Sequence, residues 1–164
     1  MKKPFSKGLA CFLYLFVVAY FSQAQSGPWE FSEMTDPISD TYVFSISTRA
    51  IDRSTNVSFD NWFSLAQLGN EIRVAFKVKD EEFHSASNEV LVRSGNGEPF
   101  FWKVVVQEDI VYFSDPGEFL KMIVGSDRLA LRYLRQSGEE PYLVWNVENL
   151  DNFVRIMVPG LLPD

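Results

Sequence analysis

Histidine is the commonest general base near neutral pH, and the chain has one, His84, in the polar segment Phe83-His84-Ser85. A nucleophilic triad built on it would need a serine on a strained elbow. No Gly-x-Ser-x-Gly pattern occurs, and a surface loop histidine is the simpler account. Asp36 with Asp40, and the run Asp80-Glu81-Glu82, offer hard oxygen ligands of the kind calcium takes. The spacing of an EF-hand loop is missing, however, and solvated turns account for both clusters. Glycoside hydrolysis by two carboxylates depends on their separation in space, so an envelope glycan or peptidoglycan hydrolase stays open as an alternative. Glycine-rich phosphate loops are absent, and no cofactor or metal is expected.

The aromatic residues Trp62, Phe63, Phe100, Phe101 and Trp102 offer a different chemistry, that of contact. Successive side chains of a strand point to opposite sides, so within Phe100-Phe101-Trp102 at least one large ring faces away from its neighbours. Beside an arginine such as Arg93, an exposed ring makes a contact patch for a protein or a glycan. Arg93, Trp102 and Trp62 are therefore the expected binding residues. The competing account buries these rings as a second core layer under a helix.

Compartment bears on what such a patch meets. Lys2, Lys3 and Lys7 precede an uncharged apolar run, Leu9 to Phe21, which ends in Ser22-Gln23-Ala24. A basic start, an apolar stretch and small residues before a cut site are the marks of a signal peptide, with cleavage expected ahead of Gln25. The apolar run is shorter than the roughly 20 residues that span a bilayer, which favours a removed leader over a retained anchor. Lipid attachment at Cys11 is disfavoured by Gly8, which stands where a branched apolar residue is expected.

Cys11 is the one cysteine, so the mature domain forms no internal disulfide and no thiolate metal or redox site. Loss of the three leader lysines takes the formal net charge from −7 to −10. Such a domain repels phosphate backbones and anionic headgroups, and neither nucleic-acid binding nor stable membrane insertion is expected. An envelope protein or glycan is the expected partner, in a periplasmic or secreted setting. Asn56-Val57-Ser58 fits a glycosylation acceptor, of consequence only in a eukaryotic secretory pathway.

The elements that must carry these residues are mostly strands. Tyr42, Phe44 and Ile46 alternate with Ser45, Ser47 and Arg49, which predicts a half-buried strand over Thr41 to Arg49. Trp29 to Met34 is expected to pair with it across Asp36-Pro37-Ile38-Ser39-Asp40. Trp62 to Gln67 and Glu71 to Lys79 flank the turn residues Gly69-Asn70. Glu89 to Arg93 and Pro99 to Val106 flank Ser94-Gly95-Asn96-Gly97, and Ile110 to Phe113 is a further short strand.

Pro116 and Glu118 after Ser114-Asp115 predict a helix that Gly125 ends. A hairpin over Asp127 to Arg135 and Tyr142 to Val147 follows, then a second helix from about Asn149 to Val158. The chain reads as a signal peptide (1–24), one α+β domain (25–160) and a short tail (161–164). The domain is expected to be a mostly antiparallel sheet or sandwich with two short helices in its C-terminal third.

This order resembles the periplasmic proteins associated with type VI secretion, the TagO/VasI-like family. The resemblance is carried by Trp29, Asp36-Pro37-Ile38-Ser39-Asp40, Leu91-Val92-Arg93, Phe101-Trp102, Asp127-Arg128-Leu129-Ala130-Leu131-Arg132 and the closing Trp145 to Phe153. The C-terminal strand, helix, hairpin and helix is also similar to the invasion-associated locus B family. The resemblance implies an exported, non-enzymatic binding or assembly protein that serves a secretion apparatus, and brings no catalytic residue with it. A purely structural exported protein is the other alternative.

Overall fold

In the computed structural model, which describes residues 28–35, 40–54, 61–78, 83–84 and 87–163, the predicted alternating segments all form strands. They are β1 (Trp29–Thr35), β2 (Tyr42–Arg53), β3 (Trp62–Leu68), β4 (Glu71–Lys77), β5 (Glu89–Ser94), β6 (Phe100–Gln107), β7 (Ile110–Phe113), β8 (Arg128–Arg132) and β9 (Tyr142–Asn146). Two helices follow the pattern of the last third, α1 (Pro116–Ile123) and α2 (Leu150–Met157).

All pairings are antiparallel, and the strand order is β1-β2-β3-β4-β7-β6-β5-β8-β9 with a further β2–β9 pairing. That last ladder joins the two ends, so β2 to β9 form a closed eight-stranded barrel with β1 added outside it. The expected mostly antiparallel, β-rich fold with two short helices is present, and its arrangement is a barrel rather than a sandwich. Closure gives every strand from β2 to β9 a neighbour on each side, whereas a sandwich keeps two edge strands per sheet.

Two strands turn the corners. Val43 to Arg49 of β2 pair with β3, while Ala50, Asp52 and Arg53 pair with β9. The register slips between Ala50 and Asp52, so Ile51 is the extra residue of a bulge, and its side chain is exposed. A bulge bends and twists its strand, which is what carrying one strand between two halves of a barrel requires. β6 divides likewise, Phe100 to Lys103 pairing with β5 and Val104 to Gln107 with β7.

An eight-stranded barrel is just wide enough for its interior to be filled by side chains. Ile46, Phe63, Leu65, Phe76, Val92, Leu129, Leu131, Leu143 and Trp145 fill it, each no more than 1% exposed. The helices seal it. Asp115 accepts from the Glu118 amide to cap α1, whose Phe119, Leu120 and Ile123 are buried. α2 buries Leu150, Phe153, Val154 and Met157, and Phe153 meets Trp29 and Phe31 of β1 edge-on. The Trp29 indole donates to the Glu148 carbonyl at 2.8 Å, which ties β1 to the segment entering α2. The tail residues Leu161 and Leu162 pack against this core rather than standing loose, and Arg155 donates to the Pro163 carbonyl.

Candidate functional site

The three expected binding residues lie apart in the fold, two on the outer face and one turned inward. Trp62 is on the outer face of β3, with Arg49 opposite it on β2 and Lys77 opposite it on β4. It borders a groove of about 700 Å³ whose floor includes Ser45, Ser47, Ser64 and Ala66 and whose far side includes Tyr112. The small side chains leave the hollow, and the large rings wall it. The charges around it are internally compensated: Arg49 pairs with Glu30 at 3.2 Å, Arg73 with Glu71 at 3.1 Å and Lys77 with Asp109 at 2.9 Å. Hydrogen bonding to Glu71 raises the Arg73 pKa above its ordinary value, against the opposing effect of partial desolvation.

Trp102 points inward, contrary to its expected role as an exposed contact. Its indole donates to the Ser114 carbonyl at 2.7 Å, and its ring meets Phe119 of α1 edge-on at 5.3 Å. A ring held in this way is partly buried and packs against α1. The core-layer account therefore holds for Trp102, while its neighbour Phe101 takes the exposed position at 71%.

Phe101 stands in a row that crosses four strands on the outer face. It is opposite Leu91 of β5, Leu91 is opposite Arg132 of β8, and Arg132 is opposite Tyr142 of β9. In the adjacent row Arg93 is opposite Ala130, which is opposite Val144. Arg93 is exposed, with its Nε donating to the Gly97 carbonyl at 3.0 Å across the β5–β6 turn. The structure thus brings Arg93 beside an exposed aromatic, but the ring is Phe101. Between the arginines lies a hollow of about 250 Å³ lined by Leu91, Pro99, Ala130 and Tyr142.

His84 follows the bridge between Phe83 and Arg135, where its backbone amide donates to the Leu134 carbonyl. Among the described residues, no three side chains of His, Cys, Asp and Glu gather as a metal site would require. The leader, Cys11, Asp36, Asn56-Val57-Ser58 and Asp80-Glu81-Glu82 lie outside the described residues, and Asp40 is exposed. Comparison with known protein families, with curated proteins and with solved structures finds no match for this chain.

Proposed function

We propose that this protein is an exported, non-enzymatic binding or assembly protein of the cell envelope, and that its contact surface is the outer face of β5, β6, β8 and β9. The observation that supports this most is Phe101, a large ring 71% exposed and aligned with Leu91 and Tyr142. An exposed aromatic bordered by arginines is the composition that interface hot spots favour. The filled barrel interior argues in the same direction, since recognition then falls to the outer surface. Export follows from the leader pattern of residues 1–24, and a link to a type VI secretion apparatus from the family resemblance.

The test has two arms. Mass spectrometry of native material is expected to find the chain starting at Gln25 in an extracytoplasmic fraction. A photo-crosslinking phenylalanine analogue at position 101 is expected to trap one defined envelope component. An intact Met1 in a cytosolic fraction would remove the export reading, and crosslinking no better than at an outward-facing control position such as Gln107 would remove the contact surface.

The groove beside Trp62 supports a second reading, a glycan-binding protein. Its charged border is neutralised in pairs and its floor carries hydroxyls, which suits a neutral, hydroxyl-rich ligand stacked on an indole. Retardation in affinity gels containing purified cell-wall polysaccharide, abolished by Trp62→Ala, checks this reading. Equal migration with and without the polysaccharide removes it.

A further inference from the structure

We infer that the face carrying Phe101 docks an acidic segment of a protein partner, with the partner's carboxylates on Arg93, Arg128 and Arg132 and one of its apolar side chains against Leu91 and Phe101. This rests on the reading of that face as the contact surface and adds the chemistry of what it contacts.

The argument begins with charge. The chain has a formal net charge of −7 and 22 acidic residues, so a basic side chain on its surface has abundant candidates for pairing. At five positions this happens, Arg49, Arg73, Lys77, Lys121 and Arg135 each holding a carboxylate within 3.2 Å, while Lys103 on β6 and Arg155 on α2 stand singly. Arg93, Arg128 and Arg132 hold none among the described residues. The β5–β8 register then brings the three together. Arg93 lies opposite Ala130, midway between Arg128 and Arg132 on β8, and all three share the outer face. Diagonal neighbours of this kind stand about 7–8 Å apart, close enough for like charges to repel. The fold therefore gathers three arginines on one face of an acidic protein and pairs none of them with a carboxylate among the described residues.

The surroundings select the kind of anion. Leu91, Pro99 and Ala130 give the hollow between Arg93 and Arg132 an apolar floor, and Phe101 extends that surface along the row. Glu89 and Glu140 border a second depression beside Phe101 and Arg132. An extended polyanion laid across this face would meet those carboxylates and the net negative charge of the whole chain. A short segment that mixes carboxylates with apolar side chains meets the arginines and the apolar floor together. Arginine suits the first because its planar guanidinium can bind a carboxylate through two parallel hydrogen bonds.

The experiment measures fluorescence anisotropy of a labelled peptide alternating Glu and Phe against the purified full chain. The controls are the same peptide with Gln for Glu, and inorganic polyphosphate as competitor. The expected result is binding that falls with added salt, is absent for the Gln peptide and weakens about tenfold in the Arg93→Gln/Arg132→Gln variant. Thermal melts confirm that the variant folds, which these exposed positions allow. Equal binding by the variant, or by the Gln peptide, overturns the inference. Stronger competition by polyphosphate than by unlabelled Glu peptide assigns the face to a phosphate polymer and overturns it as well.

Crosslinking at position 101 separates this outcome from failure of the broader reading. A trapped component that the arginine variant still captures leaves the contact surface standing and removes the acidic-segment assignment. A crosslinked peptide rich in Asp and Glu, lost in the variant, supports both.

Discussion

Phe119 of α1 lies flat on Phe113 of β7, with ring centroids 3.9 Å apart and planes 16° from parallel. Phe113 in turn touches Phe63 and Phe76 in the barrel interior, so the stack connects the helix to the central aromatic cluster. Phe119 is fully buried, and no small residue can fill the space that it occupies. Phe119→Ala is expected to destabilise the protein by about 3–5 kcal/mol, which urea denaturation followed by Trp fluorescence would read. A loss below about 1 kcal/mol would show that α1 is held by other contacts.

Trp102 and Phe101 are neighbours in sequence with opposite duties. Trp102→Phe removes the indole donor from the Ser114 carbonyl and trims the edge contact with Phe119. The expected cost is about 1–3 kcal/mol of stability with partner capture unchanged. Phe101→Ser, on an exposed ring, is expected to leave the melting temperature nearly unaltered and to abolish capture. The reverse pattern, a stable but inert Trp102 variant beside an active Phe101 variant, would exchange the two roles.

Thr48 is a polar residue in an apolar place. It faces the barrel interior at 1% exposure, between Trp29 on β1 and Phe63 on β3, and its hydroxyl has no hydrogen-bond partner among the described residues. Burying an unpaired hydroxyl is costly, and replacing it by a methyl removes the cost while keeping the β-branched shape. Thr48→Val is expected to raise stability by about 1 kcal/mol, visible as a higher urea midpoint at unchanged slope. A lower midpoint would mean that the hydroxyl is satisfied in solution.

Most elements were legible because each is local. The alternation of Phe44 and Ile46 with Ser45 and Ser47, and the turn at Gly69 with φ 56°, need only neighbouring residues to be read. Closure was not legible, because the β2–β9 and β5–β8 ladders join segments far apart in sequence, and no local pattern specifies which strand edge meets which. The full length of β2 was hidden for a related reason: the bulge at Ile51 breaks the alternation where the strand turns its corner. The direction of Trp102 did have a signal. Lys103 and Gln107 share a face with Phe101 and Val105, and those two polar side chains fix which side of β6 is wet. The meeting of Arg93 with Arg128 and Arg132 had none, since it exists only through the β5–β8 register.

Both helices begin on a residue in the left-handed region, and the two differ in what the side chain does there. Asp115, at φ 49°, accepts from the Glu118 amide at 3.3 Å, whereas Asn149, at φ 65°, makes no capping bond. Left-handed backbone costs a residue with a Cβ, and glycine escapes that cost. At position 149 nothing offsets it, so Asn149→Gly is expected to stabilise by about 0.5 kcal/mol. At position 115 the lost cap opposes the relief, and Asp115→Gly is expected to change stability by no more than about 0.5 kcal/mol. Alanine relieves neither problem, so both alanine variants are expected to lose about 1–2 kcal/mol. Urea titration of the four single variants gives the ranking directly. If Asn149→Gly proved as harmful as Asn149→Ala, the amide side chain would be holding the start of α2 by a contact other than a cap.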